Sequence, residues 1–319
     1  MQSAQLGKTD LRVSRICFGC WQLSPTFWGN VPLEEWTAAL RRASELGINF
    51  LDTADAYGDG FAESTLGEFF AREGGRDRWI VATKFYWNIE AKDRFPDTRP
   101  AYILRACEAS LKRLRTDRID LYQIHSWDAL IRPDDVAEAF AQLRQQGKIR
   151  WIGVSNWNAD EIRMGLKYFG IECLQPQYNL LEREIEHREL PVCLEHRLGV
   201  MAYSPLYRGL LTGKYAPDHK FSDHRDNTGL FHGKAYQRVQ QGLDQLQPIA
   251  DRHGLTLPQL AIRWVLTHPA LTSAIVGVKK PEHIETIVKA ADAALPPEDW
   301  HKAGDVIARA KREALAVTN

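Results

Sequence analysis

The sequence predicts an α/β fold, a (β/α)8 TIM barrel, because short apolar runs and amphipathic helical stretches alternate along most of its length. Eight β-rich runs recur within 319 residues, and near-continuous apolarity is typical of parallel strands that are covered on both faces. Eight alternating units favour a closed barrel over an open sheet. The runs are RICFGCW, INFLDTA, WIVATKF, IDLYQIH, IRWIGVSN, LQPQYNL, GVMAYSPL and SAIVGV.

The segment AQLGKTDLRV, before the first run, has the pattern of a β-hairpin. Residues Gly7 to Asp10 supply turn chemistry between two short extended stretches. We expect this N-terminal hairpin to close the bottom of the barrel.

The first long helix shows a pattern that later helices repeat. In PLEEWTAALRRASELG, Pro32 suits the first helical turn and Gly47 suits the C-terminal stop. The apolar residues that recur at helical spacing are Trp36, Ala39, Leu40 and Ala43. This spacing predicts a helix that buries one face against the strands.

One interval breaks the alternation after the seventh strand. From Tyr207 to about Pro248, the chain is rich in Gly, Asp, His and Lys and shows no convincing helix. Long loops in compact domains are usually functional or disordered. A loop at this position leaves the C-terminal face of a barrel, where active sites lie.

Length and composition fit one domain over residues 1–319, since a barrel of this type uses about 250 residues. The 41 basic and 41 acidic residues balance, and no basic block with interleaved aromatics indicates a nucleic-acid partner. No stretch of about 18 apolar residues occurs, so the sequence predicts no membrane-spanning helix. The N-terminus also lacks the apolar core of a signal peptide.

The five cysteines are odd in number and irregularly spaced, which argues against a disulfide framework and predicts a cytoplasmic location. Cys17 and Cys20 form a C-x-x-C pair, but residues three apart on a strand point to opposite faces. We therefore expect no metal site.

Four polar residues lie at or just beyond the predicted carboxyl ends of strands two, three and four. They are Asp52, Tyr57, Lys84 and His125. A barrel brings these ends together on one face. Because an unpaired buried charge is very costly, Asp52 and Lys84 should pair. Each residue alone fits a structural role, whereas their convergence favours catalysis.

Carbonyl reduction suits these side chains. The pKa of tyrosine is ordinarily about 10, and a neighbouring ammonium lowers it, so Lys84 would make Tyr57 a usable proton donor. Asp52 would orient Lys84, and His125 would donate a hydrogen bond to the substrate oxygen.

The strings FLDTADAYG, ATK, QIH, GVSN, QPQYN and AYSPL, in this order, resemble the aldo-keto reductase superfamily across essentially the whole chain. The resemblance is greatest to the branch of bacterial reductases and potassium-channel β-subunits. It implies an NADPH-dependent oxidoreductase that interconverts an aldehyde, ketone or sugar and its alcohol. Tyr57 would be the general acid and base.

The resemblance also implies the cofactor contacts, with NADPH preferred and NADH less suited. The residues around the nicotinamide and its ribose would be Gly19, Cys20, Trp21, Ser155, Asn156, Gln177 and Tyr203. The residues along the pyrophosphate would be Ser204, Leu206, Gly209 and Lys214.

The segment GVKKPEHIETI after strand eight would hold the adenosine end through Gly277, Lys279 and His283, with Lys279 against the 2′-phosphate. The chain departs from the family nearby. Thr286 and Ile287 stand where Glu and Asn often hold adenine.

Tryptophans that follow predicted strands are expected to form an apolar substrate cleft, namely Trp21, Trp28, Trp87 and Trp127. A small carbonyl or alcohol would fit such a cleft. No cluster of arginines indicates a multiply phosphorylated substrate, and the oligomeric state is left open.

Two other functions compete with this interpretation. A Schiff-base aldolase could use Lys84 as its nucleophile. A nicotinamide-binding regulatory subunit with slow turnover could keep the same four polar residues. The presence of all four favours catalysis.

Overall fold

A closed barrel of eight parallel strands forms the centre of the fold, as the alternating runs predict. The computed structural model describes residues 1–216, 219–221 and 223–317. Seven of the predicted runs contain a barrel strand, and the sixth run, LQPQYNL, overlaps β8, which begins one residue earlier at Cys173. The last barrel strand, β10, pairs with the first, β3. The strands are β1 (Ser3–Gln5), β2 (Arg12–Ser14), β3 (Ile16–Gly19), β4 (Phe50–Asp52), β5 (Ile80–Phe85), β6 (Ile119–Ile124), β7 (Ile149–Ser155), β8 (Cys173–Gln175), β9 (Gly199–Tyr203) and β10 (Ser273–Gly277).

Helices cover the outside of the barrel and bury the apolar faces that their spacing predicts. In the first long helix, the four expected apolar residues are all buried. The α-helices of the described chain are α1 (Pro25–Trp28), α2 (Leu33–Glu45), α3 (Phe61–Glu73), α4 (Pro100–Leu114), α5 (Pro133–Gln145), α6 (Ala159–Tyr168), α7 (Glu189–His196), α8 (Gly233–Arg252), α9 (Leu257–Thr267), α10 (Pro281–Val288) and α11 (Pro297–Ala316).

The N-terminal hairpin closes the bottom of the barrel, as expected. β1 and β2 pair antiparallel, with Ala4 opposite Val13. Leu6, Leu11 and Val13 are buried in one cluster with the inward-facing residues of the barrel strands. The hairpin therefore shields the interior from water at this end.

Side-chain alternation divides the barrel interior into two layers. The lower layer is apolar and contains Cys17, Phe50, Ala82, Leu121, Cys173, Met201 and Ile275. Because every second residue of a strand faces the same side, the next inward-facing residues up the barrel are Gly19, Asp52, Lys84, Gln123, Gln175, Tyr203 and Gly277. A polar layer therefore lies at the carboxyl ends of the strands.

The long loop after β9 ends earlier than the sequence suggests. Short 3-10 helices lie at Tyr207–Thr212, His224–Asn227 and Gly229–Phe231, and α8 begins at Gly233 and continues through Pro248. The expectation of a loop up to Pro248 is wrong because α8 packs its apolar face on α11. At Gly242, for example, an added Cβ would lie 2.6 Å from the Cβ of Ala310.

Cys17 and Cys20 belong to different apolar clusters, one inside the barrel and one between strands and helices. All five cysteines are free and buried. Within the described residues, no group of three or more His, Cys, Asp or Glu side chains could hold a metal ion. In the same part of the chain, no helix has the length and apolarity needed to span a membrane.

We predict that Gly7→Ala destabilises the protein more than Gly147→Ala. Both glycines have positive φ, +57° and +70°, so each alanine costs about 1–2 kcal/mol of backbone strain. A Cβ at Gly7 would also lie 2.4 Å from the backbone nitrogen of Gly199, whereas at Gly147 nothing lies within 4 Å. Thermal unfolding midpoints would show the difference, and equal falls would contradict the tight fit of the hairpin.

Candidate active site

A cavity of about 810 Å³ opens at the carboxyl end of the barrel, above the polar layer. Ligand pockets are typically about 300–1,000 Å³. Three of the predicted catalytic residues, Asp52, Tyr57 and His125, line it. The predicted cofactor residues in its lining are Gly19, Trp21, Ser155, Asn156, Gln177, Tyr203, Ser204, Leu206, Gly209, Lys214, Gly277, Lys279 and His283.

Asp52 and Lys84 form a buried ion pair beneath the cavity. The Lys84 Nζ lies 2.8 Å from Oδ1 and 2.9 Å from Oδ2 of Asp52, and the Lys84 side chain is 0% exposed. Burial acts to lower the pKa of Lys84, but the Asp52 carboxylate outweighs burial and raises the pKa overall. The ammonium therefore stays charged at neutral pH.

The same ammonium reaches the hydroxyl of Tyr57. Lys84 Nζ donates to the carbonyl oxygen of Thr53 at 2.9 Å and to the Tyr57 hydroxyl at 3.3 Å. With the bond to Asp52, these contacts use all the N–H donors of the ammonium. Because the Tyr57 oxygen accepts from Lys84, its own O–H remains available as a donor.

The predicted lowering of the Tyr57 pKa is wrong for the folded protein. Burial raises the pKa of Tyr57 to about 12, and the ammonium of Lys84 offsets this only in part. Tyr57 therefore holds its proton at neutral pH, which is the state that a proton donor needs.

His125 lies beside Tyr57 with its ring edge-on, the two ring centroids being 5.7 Å apart. Burial lowers the pKa of His125 to about 3, with a smaller contribution from the ammonium of Lys84. The ring is therefore neutral at neutral pH, with one nitrogen as donor and one as acceptor. A neutral ring can donate a hydrogen bond to a substrate oxygen without giving up a proton.

Asn156 is hydrogen-bonded to His125 and Tyr203, and Asn156 and Ser204 have backbone conformations that are rare outside glycine. Asn156 Nδ2 donates to the carbonyl oxygen of His125 at 3.0 Å, and the Tyr203 hydroxyl donates to Asn156 Oδ1 at 2.8 Å. Asn156 and Ser204 have φ of +61° and +53°. Non-glycine residues in this region cost about 1–3 kcal/mol and concentrate at functional sites.

Sequence reasoning selected Gln177 and missed Gln175, which is more deeply placed. Both line the cavity, but Gln175 Nε2 also donates to Asp52 Oδ1 at 2.8 Å, and the Gln175 carbonyl accepts from Ser155 Oγ at 2.8 Å. The alternation of β8 could have found it, because Gln175 faces the same side as Cys173.

Clustered cations line the cavity wall formed by the chain after β9 and β10. The Lys279 Nζ lies 5.2 Å and the Arg225 guanidinium 5.5 Å from the ring centroid of Trp28. Burial and the like charges of Arg225 and Lys214 lower the pKa of Lys279. A phosphate would relieve this repulsion. Arg225 was not predicted, because only the path of the long loop brings it here.

The long loop also contacts α1 beside the cavity. The ring centroid of His224 lies 4.6 Å from that of Trp28, and His224 Nδ1 is 2.7 Å from the carbonyl oxygen of Phe27. This contact joins the chain after β9 to the chain after β3. Phe27, Trp28 and Arg225 line the cavity, so this contact lies beside its wall.

Aromatic side chains form part of the lining, and three of the four tryptophans expected in the substrate cleft are among them. Trp21, Trp28 and Trp87 line the cavity, and the ring centroids of Trp21 and Trp28 are 5.3 Å apart.

Besides Lys84, which lies beneath the cavity, two predicted residues are absent from the cavity lining. Trp127 packs edge-on against Trp157 with ring centroids 5.0 Å apart, on the side of the helical core. Cys20 is fully buried among strand and helix residues. Its side chain faces away from the cavity because it is one residue beyond the inward-facing Gly19.

The comparison with known proteins places this barrel and its polar layer in a family. The model of the Aldo/keto reductase family matches residues 15–307. The chain belongs to this family.

Relatives confirm the branch of aldo-keto reductases that the motifs resemble. The chain is 34% identical to the aldo-keto reductase YhdN of Bacillus subtilis (strain 168), covering 94% of this chain and 91% of the relative. It is 32% identical to the NADH-specific methylglyoxal reductase of Escherichia coli (strain K12), covering 94% and 96%. It is 33% identical to a probable voltage-gated potassium channel subunit beta of Arabidopsis thaliana, covering 92% of each.

A solved structure confirms the fold of this aldo-keto reductase. The glycerol dehydrogenase AKR11B4 from Gluconobacter oxydans matches it with a TM-score of 0.87 and 33% identity, covering 96% of this chain and 95% of that one. The eight-stranded barrel is therefore shared with an enzyme of the family.

The pKa of His125 predicts a loss of stability in acid. An unfolded histidine takes up a proton as the pH falls through about 6.5, whereas folded His125 stays neutral down to about pH 3. Its contribution to stability is therefore present above pH 6.5 and is lost as the pH falls from 6.5 towards 3. We expect His125→Gln to lose less stability than the wild type in this range.

Urea unfolding at neutral pH and at mildly acidic pH would measure this difference. His187→Gln serves as the control, because His187 is exposed, and its slope should follow the wild type. An unchanged slope in His125→Gln would show that His125 titrates normally.

Proposed function

We propose that this aldo-keto reductase interconverts an aldehyde, ketone or sugar and its alcohol with NADP(H), using Tyr57 as general acid and base. The contact between the Tyr57 hydroxyl and the buried ammonium of Lys84, at 3.3 Å, is the observation that carries the proposal. The phenol of Tyr57 lies at the cavity surface, and the buried ammonium of Lys84 holds a positive charge next to its oxygen.

In the reducing direction, Tyr57 donates its proton to the substrate oxygen. The ammonium of Lys84 stabilises the phenolate that remains, and Asp52 keeps Lys84 charged and in place. In the oxidising direction, the phenolate takes the proton back. General acid–base help of this kind contributes about 10²- to 10⁴-fold to the rate.

His125 orients the substrate rather than acting as the acid. Its ring is neutral at neutral pH, since burial lowers the pKa to about 3. An N–H donor beside the Tyr57 hydroxyl would hold the substrate oxygen within reach of the phenol. It would also polarise the carbonyl group.

NADPH, when bound, supplies the hydride. Ser155, Asn156 and Gln175, with Gln177 beside them, would hold the carboxamide of its nicotinamide, and Tyr203 would stack beneath the ring. Ser204, Leu206, Gly209 and Lys214 would follow the pyrophosphate. These residues share the cavity with Tyr57 and His125.

The preference for NADPH over NADH rests on the cationic wall. Burial first, and then the positive charges of Arg225 and Lys214, lower the pKa of Lys279, and a 2′-phosphate would place a negative charge beside its ammonium. Family membership alone does not decide the cofactor, because the E. coli relative is named an NADH-specific reductase. We therefore base the preference for NADPH on the cationic side chains of this chain.

The Schiff-base alternative is disfavoured by the state of Lys84. A Schiff base requires a neutral amine that reaches the substrate. The Lys84 side chain is 0% exposed and is ion-paired with Asp52. A regulatory subunit with slow turnover could keep Asp52, Tyr57, Lys84 and His125, but the contacts among them are those that proton transfer needs, which favours turnover. A small carbonyl compound or alcohol is thus the proposed partner.

We predict that Tyr57→Phe lowers kcat by about 10²- to 10⁴-fold and leaves the Kd for NADPH nearly unchanged, because the hydroxyl serves proton transfer. Turnover assays and fluorescence titration would measure the two effects. Tyr168→Phe, on the exposed end of α6, is the matched control and should retain wild-type activity. An equal loss of cofactor binding in Tyr57→Phe would contradict the assigned role.

We predict that Lys279→Met weakens NADPH binding by about 10- to 100-fold and changes NADH binding little. Lys280→Met is the control, because Lys280 lies outside the cavity lining and pairs with Glu35 at 3.2 Å. Fluorescence titration with both cofactors would separate them. If Lys279→Met affected NADH as much as NADPH, Lys279 would not lie at the 2′-phosphate.

A further inference from the structure

Arg94 lines the cavity from a different side than the cations proposed to hold the cofactor phosphates. It lies on the chain after β5 together with Trp87, which also lines the cavity. Among the described residues, the remaining cationic side chains of the lining follow β9 or β10, namely Arg208, Lys214, Arg225 and Lys279. Arg94 is therefore the cation of the described lining that does not come from the side assigned to the cofactor.

The loop that carries Arg94 folds back on itself as a short hairpin. Trp87 pairs with Pro96 as an antiparallel bridge. The Asn88 backbone nitrogen donates to the carbonyl oxygen of Phe95 at 2.9 Å, and the Asp97 backbone nitrogen donates to Tyr86 at 2.8 Å. These bonds hold the tip of the loop, and with it Arg94, at the mouth of the cavity.

An ion pair joins Arg94 to the loop that carries the proposed proton donor. Arg94 Nη2 contacts Oδ1 of Asp59, two residues after Tyr57. The two side chains are 44% and 54% exposed, and exposed pairs of this kind contribute little stability. Asp59 is not part of the cavity lining. The guanidinium therefore keeps donors that can face a ligand.

The other charges at this end of the cavity cancel. The carboxylate of Asp52 neutralises the ammonium of Lys84. Tyr57 and His125 are uncharged at neutral pH, for the reasons given above. Among the described residues on this side of the lining, Arg94 is thus the cation that a substrate at Tyr57 could reach, since its partner Asp59 is exposed and lies outside the lining.

We propose that Arg94 is a specificity-determining residue that selects carbonyl substrates bearing a carboxylate, such as oxo acids and aldehydo acids. A guanidinium can bind a carboxylate through two parallel hydrogen bonds, which fixes orientation as well as charge. Asp59 holds the guanidinium at the cavity mouth and competes with the substrate for it. This inference rests on the proposed reductase function.

A matched pair of substrates tests the proposal. We would compare kcat/KM of the NADPH-loaded enzyme for 4-oxobutanoate and for its neutral methyl ester. Arg94→Leu should lower the ratio of carboxylate to ester by about 10- to 100-fold, the range for losing a hydrogen bond to a charged group. The change should lie mainly in KM, because the proton donor is untouched.

Two further variants extend the test, one that should raise the ratio of carboxylate to ester and one control that should not change it. Asp59→Asn should raise the same ratio by about 2- to 5-fold, because a competing negative charge is removed. Asparagine tolerates the φ of +56° at this position. Arg105→Leu is the control, since Arg105 forms a similarly exposed pair with Glu90 and is not part of the cavity lining. It should leave the ratio at the wild-type value.

The outcomes separate this inference from the proposed function. Turnover of both substrates at similar kcat/KM in the wild type, or a ratio unchanged by Arg94→Leu, would overturn the inference and leave the reductase standing. A preference for neutral polyhydroxy aldehydes over 4-oxobutanoate would do the same. No turnover of any aldehyde with NADPH or NADH would overturn both.

Discussion

The buried ion pair between Asp52 and Lys84 is the interaction on which the site depends. An isolated charge at this depth would be very costly, and the pair persists because each partner is fully hydrogen-bonded. Gln175 satisfies the Asp52 carboxylate, and the Thr53 carbonyl and the Tyr57 hydroxyl satisfy the Lys84 ammonium. Removing one partner would leave an uncompensated charge in the barrel. Both the stability of the barrel and the proposed proton transfer therefore depend on this pair.

The barrel makes the pair possible by separating an apolar layer from a polar one. Below the pair, the hairpin and the inward-facing apolar residues exclude water. Above it, the cavity admits ligands. Strand alternation builds both layers from neighbouring residues, such as Phe50 and Asp52 on β4 or Ala82 and Lys84 on β5. The packed lower layer thus positions the reacting side chains along the barrel axis, while the loops above it determine ligand specificity.

Burial, more than pairwise charge, decides the protonation states in the site. The ammonium of Lys84 does act to lower the pKa of the Tyr57 phenol, as expected for a nearby positive charge. In the folded protein, desolvation outweighs it, and the pKa of Tyr57 rises to about 12. The same desolvation keeps His125 neutral. Tyr57 is therefore a protonated donor beside a neutral hydrogen-bonding partner.

The sequence by itself determined the eight strands, the hairpin and the convergence of Asp52, Tyr57, Lys84 and His125, because strand periodicity and parallel closure are readable from local pattern. Tertiary structure alone decided that Trp127 turns to the core, that α8 begins at Gly233, and that Arg94 and Arg225 reach the cavity. These features depend on loops and helices packed against distant parts of the chain. No local periodicity encodes such contacts, since long-range packing selects each loop path.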